Sequence, residues 1–527
     1  MIKENFFDTL SDKKIVIFLL CYISFLLLFC SHMSPVYFSN EWADVSVYHN
    51  IGKAIFNGRT LYTEIFDHKG PLIFFIYGLG YLISGDSFFG MFLIEIASWF
   101  AMVCAIYYLS RLYLGKAGSC FVAIVLPIFL IKLMKAGGSA EEFILVFECI
   151  SLYFFVKYFK DKDALIHKPA IMLLHGVLCS MVLFIKINLI IFWFFPLAGI
   201  FINLVLHKEF RNALINLASF LGGVLIIALP ICLYLYLNDA LQEAYNIYID
   251  LNRKYAQLQG FSETMTLLFY RSFYLYLEPL SQCLMPLIGI FYFSIKFIGN
   301  KIGKWVIVLT GMSLYIFVFM SPVYQYYYPI PLLTFSILGV LGVFLFIKRY
   351  IKIETFTLKA VLMLSVVFFY AGLSQKDMIE SKFASLLVNN PGILMQNSRN
   401  IIIQEENPTL LNLSFGLGNS LFTTCNIVPS IRYFLSPNLT YESYPDMRDE
   451  QEKYIKNKEV QFIIMSVPVL RKHTSKVTKE RKVNNYDYFD SLPALRENYS
   501  LVLMDTVINT IDERTFDVYA LYKRKDN

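Results

Sequence analysis

Long apolar stretches recur along this chain and leave it few ways to fold. They lie near residues 14–30, 88–110, 118–134, 143–159, 169–185, 188–206, 213–236, 279–298, 304–320, 329–347 and 358–374. A helix crosses a bilayer in about 20 residues, with a range of about 17–25. Inside hydrocarbon each backbone N–H and C=O must be satisfied within its own segment, so such runs are expected to be helices. The composition agrees: only 16% of the 527 residues are charged, against about 25% in a soluble domain. The net charge of +6 comes without a basic, aromatic-interleaved stripe, which argues against a nucleic-acid partner. Nearly all of the nine cysteines sit inside apolar runs, with no C-x-x-C or Cys/His spacing. Neither a disulfide framework nor a thiolate metal site is indicated. The N-terminus has a basic flank and an apolar stretch without a small-residue cleavage site, so a retained first span is expected rather than a removed signal.

One run is too short. Residues 71–84, PLIFFIYGLGYLIS, follow Gly70; their length suits an interfacial or re-entrant helix with Pro71 in its first turn. Loop charges support this. With the Lys13-Lys14 end inside and 71–84 not crossing, the inner loops hold Arg111 and Lys116, then Lys157, Lys160, Lys162 and Lys168, then Lys208 and Arg211. Further along they hold Lys296, Lys301 and Lys304, then Lys348, Arg349, Lys352 and Lys359. Cytoplasmic loops carry the excess of Lys and Arg, and counting 71–84 as a span would turn all of these outward. The expected fold is therefore an all-α polytopic membrane protein of about 11 transmembrane helices with a cytoplasmic N-terminus. The segment 31–70, the loop KAGGSAEEF at 135–143 and the tail 375–527 are then outside. The tail differs in character: LLNLSFG, VQFIIMS, LVLMDT and FDVYALYK read as strands between polar, helix-permissive stretches, which predicts a small extracytoplasmic α/β domain.

Titratable groups gather on that outer side. Glu41 and Asp44 follow the first span; Asp67, His68 and Lys69 precede the short run; Glu141 and Glu142 stand between the third and fourth spans; Tyr324, Tyr326 and Tyr327 fall in SPVYQYYYPIP. After Asp44, the spacing of Val45, Val47, Tyr48, Ile51, Ala54 and Ile55 predicts an amphipathic interfacial helix ended by Gly58. Each group also has a plainer reading. Asp44 suits a helix cap, Lys69 a headgroup anchor, one of Glu141 and Glu142 a solvated first turn, and the tyrosines an aromatic belt. Glu95 and Glu148 lie within apolar runs, where an ionised carboxylate costs about 2.5–3.5 kcal/mol; they are expected to face a polar cavity or to be protonated.

The pattern D-x-x-x-Y…G…G-x-x-L-Y-x-x-x-F-D-H-K-G-P-L, from Asp44 to Leu72, resembles the first outer loop of GT-C-fold, polyprenyl-phosphate-sugar-dependent glycosyltransferases. These include the protein O-mannosyltransferases and the lipid A aminoarabinose transferases. The resemblance covers roughly residues 10–160, and the later spans only by general layout. It implies a transmembrane GT-C-like catalytic domain at 1–374, with first outer loop 31–87, and an extracytoplasmic α/β domain at 375–527. Asp44 then matches the acid of the first outer loop, Lys69 the donor-phosphate lysine, and Glu141 or Glu142 the acid of the next outer loop. The chain departs from the aminoarabinose transferases at Val47, where they have Arg. It departs again at His68, where they have Glu directly before the Lys, with Asp67 one place further back.

What the resemblance implies is transfer of a monosaccharide from a polyprenyl-phosphate donor, undecaprenyl phosphate in a bacterium, to a cell-surface glycan, glycolipid or protein. An acceptor hydroxyl attacking the anomeric carbon needs a carboxylate base, a role that suits Asp44, with inversion. The leaving phosphate needs a fixed cation, which suits Lys69, with His68, Arg253, Lys254, Tyr326 and Arg271 as further phosphate or sugar contacts. Glu141 and Glu142 would orient the acceptor. With Asp44, Glu142 could also hold a divalent cation, Mg or Mn by its oxygen ligands. Asp67 and Glu41 would support. Two other classes fit the same composition. A transporter or flippase of lipid-linked saccharides would place ionisable groups near the midplane; a glycan ligase or polymerase would need a larger donor pocket.

Overall fold

The computed structural model describes residues 11–526 apart from 38–39, 41, 132, 135, 163–164, 256–259, 278–279, 321–323, 351–392, 415–416, 437–438, 471–485 and 509–514. Glu41 and the apolar run 358–374 thus lie outside the described residues. Every other apolar run is helical. Six helices are long and apolar enough to cross a membrane: Asp12–Cys30, Phe89–Arg111, Ile187–Leu206, Phe210–Leu237, Lys301–Phe319 and Ile330–Arg349. Lys116–Leu130, Pro169–Leu183 and Leu284–Phe297 are shorter. Ala140–Lys160 has the length, but carries Glu141, Glu142, Glu148, Lys157 and Lys160. Length and composition therefore carry six crossings among the described residues, where about 11 were expected. The chain is a multi-pass, mostly helical membrane protein with a small C-terminal sheet.

The chain forms two compact units that interleave along the sequence. The first gathers described residues of 1–36, 92–233 and 256–387; the second gathers those of 37–91, 234–255 and 388–527. The second unit thus joins the segment after the first span to the tail.

In the second unit, helix α1 (Ala43–Phe56) packs on helix α2 (Pro71–Ser84). α1 ends at Asn57 and Gly58, the latter at φ +89°, where a Cβ would be strained. α2 starts from Gly70 with Pro71 at its first position, where the missing N–H is harmless. The two backbones touch at Gly52 and Gly78: a Cβ on Gly52 would lie 2.5 Å from the Gly78 nitrogen. α2 buries Pro71, Ile73, Phe74 and Tyr77 and exposes Leu79, Leu82 and Ile83, a one-sided pattern that fits a helix of 14 residues.

The four tail runs are strands: β1 (Leu410–Leu413), β2 (Phe462–Leu470), β3 (Tyr499–Ile508) and β4 (Thr515–Arg524), in the order β1-β2-β4-β3. β1 and β2 pair in parallel with Leu410 opposite Phe462; β4 is antiparallel to both β2 and β3. All four residues of β1 are buried, as befits a parallel strand covered on both faces. Leu411, Leu413, Ile463, Met465 and Phe489 form the core of this sheet, flanked by helices α3 (Leu417–Thr424) and α4 (Pro445–Lys456).

Candidate functional site

Of the candidate residues, Asp44, Asp67, His68, Lys69, Arg253 and Lys254 fall in the second unit, and Glu141, Glu142 and Tyr326 in the first. In the second, Asp44 stands in the first turn of α1, but the N-cap is Trp42 and makes no side-chain capping bond. The acid is therefore not the cap. Four residues on, Tyr48 shares its face of the helix, wedged edge-on between Phe74 and Tyr77 of α2 with ring centroids 6.0 and 5.4 Å away. The Lys69 ammonium lies 5.8 Å from the Tyr48 ring centroid. Acid and ammonium thus serve one face of α1.

The Asp67-His68-Lys69 turn is held from several directions. Asp67 is buried, and its Oδ1 accepts the Lys69 N–H at 3.2 Å, with His68 Nδ1 3.3 Å away. The Tyr62 hydroxyl donates to the Lys69 carbonyl at 2.8 Å, and Asn252 Nδ2 to the His68 carbonyl at 2.6 Å. Tyr62 is wholly buried at φ +73°, a left-handed conformation costly for an aromatic residue. Burial, with Tyr248, Asp67 and Tyr234 nearby, pushes its phenol well above the usual range, so it remains a donor. Arg253 and Lys254 pair with Asp250 at 2.8 and 3.0 Å and are largely exposed; these helical pairs occupy charges expected to meet phosphate.

The expectation of a flat, half-exposed α1 is corrected. Its polar side is buried as well, at Ser46, His49, Asn50 and Lys53, because residues of the tail and of the 81–88 stretch pack on it. Asn50 Nδ2 donates to the Asn419 carbonyl at 2.9 Å. Lys53 pairs with Asp86 and bonds Asn426 Oδ1 at 3.1 Å. One turn earlier, neither ring nitrogen of His49 has a hydrogen-bond partner among the described residues. The ring packs on Phe88, 4.7 Å between centroids, and against Tyr81. Burial, aided by the Lys53 charge, pushes His49 down from 6.5 to about 3. Between those values the unfolded chain binds a proton there that the folded chain refuses. Stability is then full above the ordinary histidine pKa and falls as the pH drops below it, by at most about 1.4 kcal/mol per pH unit. Thermal unfolding from pH 7.5 to 5 is expected to show this slope, and His49→Leu to reduce it; identical slopes would assign the acid sensitivity elsewhere.

In the first unit, Ser139 caps Ala140–Lys160 in a reciprocal box: Glu142 N–H donates to Ser139 Oγ, and Ser139 N–H to Glu142 Oε1, both at 3.1 Å. Glu141 Oε1 instead pairs with Lys186 at 2.7 Å, and that ammonium lies 3.8 Å from the Tyr328 ring centroid. Lys186 thus ties the 139–142 turn to the tyrosine-rich loop. Glu95, placed by sequence within a span, is buried and accepts from Ser31 Oγ at 2.6 Å. A crevice beside it is lined by Ser98, Trp99, Gly138, Glu142 and Phe143. Gly137, at φ +89°, lets the loop approach: a Cβ there would lie 2.6 Å from Glu95 Oε1. Tyr324 faces Arg271, 5.2 Å from guanidinium carbon to ring centroid, and Tyr326 is half-exposed. Among the described residues no group of three or more His, Cys, Asp or Glu is placed to hold a metal ion.

Sequence reasoning missed Tyr62 as a clamp, and missed Asn252, Lys53 and Lys186. Tyr62 had a signal in the spacing G-x-x-L-Y; the others lie far in sequence from what they hold.

The model of the competence-induced protein Ccs4 N-terminal domain matches residues 8–359. No curated protein matches. Among solved structures, ArnT from Cupriavidus metallidurans bound to undecaprenyl phosphate is similar at 14% identity and a TM-score of 0.58, over 97% of this chain and 98% of that one. Its apo state gives 14% identity and 0.57 over the same shares. The apo oligosaccharyltransferase of Archaeoglobus fulgidus gives 11% and 0.54, over 88% of this chain and 70% of that one. The fold is GT-C.

Proposed function

The chain belongs to the competence-induced Ccs4 N-terminal domain family, whose name states no reaction, and we propose that it is a membrane glycosyltransferase using a polyprenyl-phosphate monosaccharide. The acceptor is a hydroxyl of a cell-surface glycan, glycolipid or protein on the outer face of the membrane. The observation that carries this reading is the shared face of α1. Asp44 stands in its first turn, and the Lys69 ammonium sits over Tyr48 one turn on, beside a helix too short to cross.

In this reading the acceptor oxygen attacks the anomeric carbon as Asp44 takes its proton. The bond from that carbon to the phosphate oxygen breaks, the configuration inverts, and polyprenyl phosphate leaves with charge held by Lys69. The Tyr62 and Asn252 bonds to the carbonyls of residues 69 and 68 keep that ammonium from needing to reorganise. Glu141 and Glu142 are proposed to orient the acceptor. No step is assigned to a metal.

The test is binding. Wild-type chain in nanodiscs is titrated with undecaprenyl phosphate and followed by native mass spectrometry. A hydrogen bond to a charged group is worth about 1.5–3 kcal/mol, so Lys69→Ala is expected to weaken binding roughly tenfold to a hundredfold. Equal affinities would reduce Lys69 to a headgroup anchor and remove the donor assignment.

A second reading, a transporter or flippase of lipid-linked saccharides, has one observation in its favour. Glu148 and His175 are buried within their helices, and both Glu148 oxygens and His175 Nε2 lack hydrogen-bond partners among the described residues. A vesicle assay separates the two: movement of the intact donor across the bilayer without transfer belongs to the second.

A further inference from the structure

Phe66 directly precedes the Asp67-His68-Lys69 turn, and it is fixed by the tail. Its N–H donates to the Arg432 carbonyl at 3.1 Å. Its ring is wholly buried, stacked on Tyr444 with centroids 5.2 Å apart and planes 9° apart, and lies 5.0 Å from Tyr433. The two tyrosine hydroxyls bond each other at 2.9 Å, so the socket closes on itself.

The socket is in turn anchored. Buried Gln451 of α4 donates to the carbonyls of Tyr433 and Leu435, at 2.9 and 2.8 Å. The Asn412 N–H of β1 donates to the Phe434 carbonyl at 2.8 Å. Arg432 pairs with Glu243 at 3.1 Å, at the head of the stretch whose Asn252 holds the His68 carbonyl. Every link lies within the second unit.

We propose that the tail strap formed by residues 432–435 together with Tyr444 is a positioning element for the lipid phosphate: it seats Phe66 and thereby sets where the Lys69 ammonium stands. This rests on the donor reading of Lys69. A loop of this kind, left to itself, would sample many positions of a long lysine side chain. A plug one to three residues away removes most of that freedom, and misplacement of a catalytic group by about 1 Å can cost about a hundredfold. The tail is then part of the donor site's wall.

The experiment compares two lipids that differ only in the head: undecaprenyl phosphate and undecaprenol, each titrated into the full chain in nanodiscs. The readout is the preference for phosphate over alcohol, which general loosening of the apolar pocket would not change. Wild type is expected to prefer the phosphate, and Phe66→Ala to lose at least about tenfold of that preference. Tyr444→Ala, at a half-buried position that folding tolerates better, is expected to lose it in the same direction. Tyr444→Phe, which keeps the stacked ring, should stay within about twofold of wild type. Lys69→Ala is run in parallel. If it loses the preference while Phe66→Ala and Tyr444→Ala keep it, the strap has no positioning role and the donor reading stands. If wild type shows no preference at all, the donor reading falls and this proposal with it.

Discussion

Asp44→Asn is expected to lower sugar transfer by about 10²–10⁴-fold, the range for removing a general base, while the protein inserts and folds normally. The change is nearly isosteric, and Asp44 does not cap its helix, since Trp42 occupies the N-cap. What α1 loses is the favourable meeting of a carboxylate with its N-terminal dipole, about 0.3–1 kcal/mol. Activity and stability should therefore separate cleanly. The measurement is transfer from a polyprenyl-phosphate sugar in reconstituted membranes, with thermal unfolding of the same preparations. Near wild-type turnover would remove Asp44 as the base and leave it a surface acid. The sugar and acceptor for that assay would come from mass spectrometry of surface glycans in a deletion strain, where a missing residue identifies both.

The second large effect is on stability. Lys53 is wholly buried, and burial pulls its ammonium below the usual lysine range against the pull of Asp86, which favours the charge. Breaking a buried pair costs about 3–5 kcal/mol. Lys53→Met should fall at the low end, about 3 kcal/mol, because the Asp86 side chain keeps 24% of its surface exposed and can be rehydrated. Asp86→Asn should cost more, since it strands an ammonium with no route to water. Replacing both, Lys53→Met with Asp86→Leu, should recover much of the loss, because an apolar pair needs no desolvation. Thermal unfolding in detergent measures the order. Cys425 gives a local reading: its thiol is buried and pushed up to about 11, next to the Asn426 that bonds Lys53. Faster alkylation of Cys425 in Lys53→Met would locate the opening at this joint. If the single variants unfold and alkylate like wild type, the pair does not hold Lys53 at its joint with Asn426.

Much of the local structure could be read directly. Gly70-Pro71 and a run of 14 apolar residues define α2 because helix length against bilayer thickness is a local property. The four tail strands were legible for a similar reason: short β-branched and aromatic runs between polar stretches have few alternatives. The start of α1 near Asp44 and its end at Gly58 followed from periodicity and one glycine. The polar side of α1 was not legible. Ser46, His49, Asn50 and Lys53 look solvated along the chain, yet Asn419, Asn426 and Asp86 meet Asn50 and Lys53 in space. Nor did Arg253 and Lys254 disclose that Asp250 holds them, although the spacings of three and four residues on a helix carried that signal.

Sequence by itself settled what depends on neighbours along the chain: which stretches are helices or strands, which run is too short to cross, and where acids and bases concentrate. Only the tertiary structure decided which of those charges meet a partner, and that the tail closes over the segment after the first span. The reason is physical: a hydrogen bond or ion pair between residues hundreds of positions apart leaves no periodic trace in either segment, and its energy appears only once both have folded.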